Sequence, residues 1–122
     1  MKIRLTKDLE PLRALALGRL NVVIGERISA RTGSPVAILR ARKAAEAEHW
    51  RAGGGAGPLL QAEAIASGQT VASLVDRILA KAAEEMQGLA QIEACRQAAQ
   101  AAIRSAPHPA AIEAALVEFL NG

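Results

Sequence analysis

Apolar side chains recur every three or four residues along most of the chain, the period of helices packed along one face. Leu9, Leu12, Leu15 or Ala16, Leu20, Val23, Ile24 and Ile28 form the first such series and predict a helix from Asp8 to about Arg31–Gly33. Asp8 offers an N-cap carboxylate, and Pro11 then falls in the first turn, where its missing N–H does no harm. Gly18 and Gly25 lie seven apart on this helix, weakening it and offering room for another backbone. Upstream, KIRLT (Lys2–Thr6) alternates polar and apolar and fits a short strand or an extended arm. Ser34-Pro35 restarts the chain in a helical sense, serine as N-cap and proline at the first position. This second helix, Val36 to about Ala52, has Ile38 and Leu39 early and then turns polar up to Trp50.

GGGAG (Gly53–Gly57) is the one clear flexible break. Pro58 opens a third helix, Leu59 to Ser67, which Gly68 terminates. Thr70 is a suitable N-cap for the next. From Val71 to about Ser105 an apolar series runs through Leu74, Val75, Ile78, Leu79, Ala82, Met86, Leu89, Ile92, Cys95, Ala99 and Ile103. It keeps a period of 3.5 to 3.6, as in a bundle or coiled-coil seam. A helix of that length spans about 50 Å, so it must bend at Gly88, protrude, or pair with another chain. Pro109 starts a last short helix with Ile112, Leu116, Phe119 and Leu120 apolar. The pattern predicts an all-α protein of about five helices, one of them long and amphipathic (about 71–105). As a single domain it divides into an N-terminal arm (1–7), a basic helical hairpin (8–52), the glycine-rich loop (53–57) and a bundle region (58–122).

Composition sharpens this picture. Alanine makes up roughly a quarter of the residues, far above average usage, and the aromatics are Trp50 and Phe119 alone. Such a core suits closely approaching helices but contributes little transfer energy per side chain, which points to partners or self-association. The formal charge of +3 is uneven. Residues 1–52 carry eleven Lys/Arg against five Asp/Glu, and residues 53–122 carry four against seven. The basic set Arg40, Arg42, Lys43 and Arg51 would suit phosphates, but Glu46 and Glu48 interleave with it and no aromatic stacking partners accompany it, which argues against a nucleic-acid partner. The N-terminal residues lack the apolar run of a signal peptide, and no stretch approaches the ~18 to 20 apolar residues of a membrane span, so a soluble protein is expected.

The segment AIASGQTVASLVDRILAKA (64–82) raises the question of a DNA-reading helix-turn-helix. Ala64, Gly68 and Leu74 have the spacing, but Thr70, Val71, Ala72 and Ser73 offer no base-reading side chain. Glu63 and Asp76 sit where phosphates would, and Arg77 occupies a core position of the motif. The segment reads as a packing corner. Catalytic chemistry finds no support: His49 and His108 are far apart without metal-ligand company, Cys95 falls on the buried period of the long helix, and the glycine run lacks the Lys-Ser/Thr of a phosphate loop. No catalytic residue, cofactor or metal site is expected. Trp50 reads either as an interface anchor or as a plug between the second and fourth helices.

With a second helix closed by Trp50, then LLQAEAIASGQTVASLV (59–75), ILAKA (78–82) and HPAAIEAA (108–115), the chain resembles small alanine-rich helical proteins encoded in the tail modules of tailed bacteriophages and prophages, often near tail-fibre genes. The resemblance covers Leu17 to Leu120 and rests on the pattern of Leu60, Ala64, Gly68, Thr70, Leu74 and Ile78-Leu79-Ala-Lys-Ala. It implies a structural or accessory tail component in the virion, made in the host cytoplasm during assembly, with other tail proteins as partners; an assembly chaperone absent from the mature virion is the alternative. A small basic nucleic-acid-binding protein using Arg40, Arg42, Lys43 and Arg51 is a further one. A homo-oligomer would join along Val75, Ile78, Ala82, Met86 and Leu89, leaving Trp50, Arg40, Arg42 and Lys43 to a larger partner.

Overall fold

A computed structural model describes residues 2–122, with side chains from residue 9 onward. The chain forms five helices: α1 (Lys2–Thr32), α2 (Pro35–Arg51), α3 (Pro58–Ser67), α4 (Val71–Ser105) and α5 (Pro109–Asn121). It is all-α as the periodicity predicts, and α4 covers the expected span without interruption at Gly88.

Most helix ends follow local chemistry. The Ser34 hydroxyl accepts a hydrogen bond from the Ala37 N–H at 3.0 Å, with Pro35 at the first helical position. Thr70 caps α4 through the Ser73 N–H at 3.1 Å. Gly68 ends α3 in the left-handed region (φ 70°), a backbone conformation that costs glycine nothing. His108 caps α5, its Nδ1 accepting from the Ala111 N–H at 3.1 Å.

The start of α1 departs from expectation. The helix already begins at Lys2, so KIRLT is neither strand nor arm, and Asp8 is not an N-cap. Pro11 consequently lies inside the helix rather than in its first turn. A lone five-residue strand would have no neighbour to satisfy its backbone, whereas helical Lys, Arg and Leu satisfy theirs locally. Proline removes one N–H from the ladder, a local cost the flanking turns must carry.

Two compact units emerge. The first draws on the chain up to Ile28 and on Ala90–Gly122; the second is Ser29–Leu89. In the first, Leu20, Ile24, Ile103, Ile112, Leu116 and Phe119 form a buried cluster with Leu9 and the small side chains of Ala16, Ala99 and Ala106. Arg13 donates to the Ala106 carbonyl at 2.7 Å, satisfying an acceptor just past the end of α4. The Arg27 guanidinium lies 4.6 Å over the Phe119 ring. The second unit has a smaller core, Ala47 from α2, Leu60 from α3, and Leu74 and Val75 from α4, with Trp50, Ile78 and Leu79 packed around it. The glycine-rich stretch lies inside this second unit.

Gly18 and Gly25 do not serve close packing within the chain. A Cβ built on either meets nothing within 4 Å. Replacing either with alanine is therefore expected to stabilise the protein by up to about 1 kcal/mol, since only helix propensity changes. Chemical denaturation of Gly18→Ala and Gly25→Ala checks this; destabilisation would reveal an unseen neighbour at those positions.

Candidate functional site

The second unit holds the site. Four of its basic residues pair with acids on neighbouring helices. Arg40 of α2 pairs with Glu85 of α4 at 2.9 Å, and Arg51, further along α2, pairs with Asp76, earlier on α4. The two helices therefore run antiparallel. Between these pairs, Lys43 reaches Glu63 of α3 at 2.7 Å, and Arg77 of α4 reaches the other Glu63 oxygen at 3.0 Å. Glu63 is thus a hub joining three helices.

The Lys43 ammonium, hydrogen-bonded to Glu63, is the main reason its carboxyl is held below the ordinary value of 4.5; partial burial opposes this, and Arg77 adds to it. A carboxylate whose folded pKa is depressed contributes stability above its unfolded value and loses it as pH falls through the folded value. The hub's contribution should be complete above pH 4.5 and fade below it. Glu63→Gln is expected to lower stability by about 1 kcal/mol at neutral pH and by less as the pH falls below 4.5, read from urea midpoints across that range.

A second carboxylate serves the backbone. The N-cap of α3 is Gly57, which has no capping side chain, and Pro58 has no N–H to satisfy. Glu46 of α2 fills the vacancy: its Oε1 accepts from the Leu59 and Leu60 N–H groups at 3.0 Å each. A Cβ on residue 57 would come within 2.4 Å of that carboxylate, so only glycine leaves room for it. The sequence suggests an Arg42–Glu46 helix pair instead, because nothing local announces a cap supplied from another helix.

Beside this scaffold lies an open groove of about 770 Å³ between α2 and α4. Ile38, Ala41 and Ala45 line it from α2; Ile78, Ala82, Met86 and Leu89 line it from α4. Arg31, Arg40, Arg42, Lys43, Arg77 and Lys81 surround it, with Glu48, Glu63 and Glu85. Ile38 and Met86 remain 49% and 65% exposed. A smaller hollow of about 580 Å³ borders it, where Ala82 and Met86 meet Leu79, Ala83 and the end of α2.

Seven of the nine residues expected at an interface therefore share one groove: Arg40, Arg42, Lys43, Ile78, Ala82, Met86 and Leu89. The other two do not. Val75 is completely buried in the chain's own core, so it is not available to another polypeptide; its neighbour Leu74 turns inward with it to fill the space between α2 and α3. Trp50 is half-buried against the same core, in the position of a plug.

The remaining candidates stay apart. Cys95 is exposed rather than buried, because Arg96 takes the half-buried position on that turn. The His49 ring lies where a Cβ on Gly54 would go, and His108 is the α5 cap. At the corner between α3 and α4, Arg77 turns outward to Glu63 instead of completing a helix-turn-helix core. Among the described residues no group of three His, Cys, Asp or Glu could hold a metal, and no helix is long and apolar enough to cross a membrane. Compared with known proteins, the chain matches no family profile, and neither a curated protein nor a solved structure matches it.

Proposed function

We propose that this chain is a structural or accessory component of a bacteriophage tail that works by protein–protein association. The observation that carries the association half of this reading is the α2–α4 groove, where Ile38, Ile78, Met86 and Leu89 offer apolar surface between two helices already fixed by ion pairs. Exposed apolar patches rimmed by polar side chains are the usual mark of a binding surface. The tail setting rests on the resemblance carried by residues 17–120. Mass spectrometry of purified particles made by the source phage or prophage tests it. Presence at a fixed ratio to other tail proteins is the expected result.

An assembly chaperone is the second reading, favoured by a groove left open within the chain itself. Absence from finished particles, with association to a tail or fibre protein in lysates, would select it. A strictly monomeric chain at high micromolar concentration that associates with no tail protein would defeat both. The nucleic-acid reading is weakened by the engagement of Arg40, Lys43 and Arg51 in pairs within the chain. It requires DNA affinity that falls steeply with salt, and no binding at low salt would end it.

A further inference from the structure

We infer that the α2–α4 groove receives one acidic amphipathic helix of about three turns from a different protein. This deepens the association reading and rests on it. Along α2 the groove is lined at Ile38, Ala41, Ala45 and Glu48, and along α4 at Ile78, Ala82, Glu85 and Leu89. These are alternating steps of three and four residues, the two seams against which a further helix packs knobs into holes. Alanines at the centre of both seams let the occupant's backbone come close. From Ile78 to Leu89 the seam is about 16 Å long, three helical turns. A compact metabolite would use little of such a trough, whereas a helix fits its length and periodicity.

Charge then selects the kind of helix. Six Arg or Lys side chains surround the groove against three Glu. Two of those acids, Glu63 and Glu85, are already paired inside the chain. Among the described residues no ion pair reaches Arg31, Arg42 or Lys81. Carboxylates flanking the occupant's apolar stripe would meet these three cations, whereas a basic helix would be repelled. The Arg40–Glu85 pair, nearly half exposed, also lies in the groove and is weak enough to yield to an incoming helix.

A second copy fits less well. Of the chain's own helices, α3 and α5 carry acids and no basic residue. α3 exposes Ile65 alone among its large apolar side chains, and its Glu63 is already paired. α5 carries Glu113 and Glu118. It shows only Val117 and Leu120 outward among its large apolar side chains, two knobs for four layers of groove. Its other large side chains, Ile112, Leu116 and Phe119, are already buried in the first unit.

The test uses the full chain and two labelled synthetic helices of 18 residues. Both carry Leu at heptad a and d positions; one has Glu and its twin has Lys at the flanking positions. Fluorescence anisotropy should show the Glu peptide binding at least ten times more tightly than the Lys twin, with the gap narrowing from 50 to 300 mM salt. Met86→Asp should weaken the Glu peptide at least tenfold, and joint Arg42→Glu and Lys81→Glu substitution should reverse the preference. All three side chains are exposed, and unchanged circular dichroism would confirm folding. Equal affinity for the twins, undiminished binding by Met86→Asp, or no binding at 200 µM would overturn the inference. Self-association in sedimentation equilibrium that Met86→Asp abolishes would also overturn it, assigning the groove to a second copy and leaving the association reading intact. Conversely, selective Glu-peptide binding by a chain absent from particles would sustain the groove's assignment while the tail-component reading fails.

Discussion

Leu60→Ala is expected to lower the stability of the second unit by about 3 kcal/mol, within the range measured for leucine truncation in well-packed cores. Leu60 is fully buried where three helices meet, against Ala47, Leu74 and Val75. The α2 side chain fully buried in this core is the alanine Ala47, too short to reach into the void. The loss is a large fraction of what a small domain possesses. Trp50 packs on the same core and is the chain's single tryptophan, so its fluorescence in urea reports this unit selectively. A midpoint shift corresponding to less than about 1 kcal/mol would mean that the core closes around the gap, and that its packing is looser than described.

Glu46→Ala is expected to cost about 2 kcal/mol, above a typical lost N-cap because the acceptor is charged and the N–H groups it serves are partly buried. Glu46→Gln should recover more than half of this by keeping an acceptor oxygen. Gly57→Ala supplies the more decisive comparison. Residue 57 has φ −74° and ψ 171°, which alanine adopts readily, so the only objection to a methyl group is the carboxylate 2.4 Å away. If displacing Glu46 is the whole effect, Gly57→Ala should resemble Glu46→Ala, and the double variant should be scarcely worse than either. Additive losses in a double-mutant cycle would show that the two residues act separately.

The boundaries of α2, α3, α4 and α5 were legible in the sequence because their signals are local: Ser34 before Pro35, Gly68 after Ser67, Thr70 before Val71, Pro109 after His108. The start of α1 was not, because Pro11 imitates a first-turn proline and Asp8 a cap. Glu46 was out of reach for a different reason. Its partners lie thirteen and fourteen residues away, and only the arrangement of α2 and α3 brings them together.

The long apolar series of α4 shows the same limit within one helix. It identified the helix but not the sense of each position. Leu74 and Val75 both turn inward, while Met86 stays outside. Further along, the inward stripe steps from Ile92 through Arg96 to Ala99 and Ile103, passing Cys95 by. A helix of 3.6 residues per turn drifts about 20° per heptad against a strict repeat. Over thirty-five residues, facing two different sets of neighbours, that drift decides which member of each adjacent pair is covered. The groove itself was foreshadowed only as two separate features, a basic α2 and an apolar α4, whose apposition is a tertiary fact.

Exposed Cys95 has a practical consequence. It belongs to one compact unit, and Trp50 belongs to the other. Each residue type occurs once in the chain. A thiol-reactive acceptor dye coupled to Cys95 would make a native donor–acceptor pair with the indole, without any engineered mutation. Energy transfer in that labelled protein would follow the separation of the two units in solution, and would record any change when the groove fills.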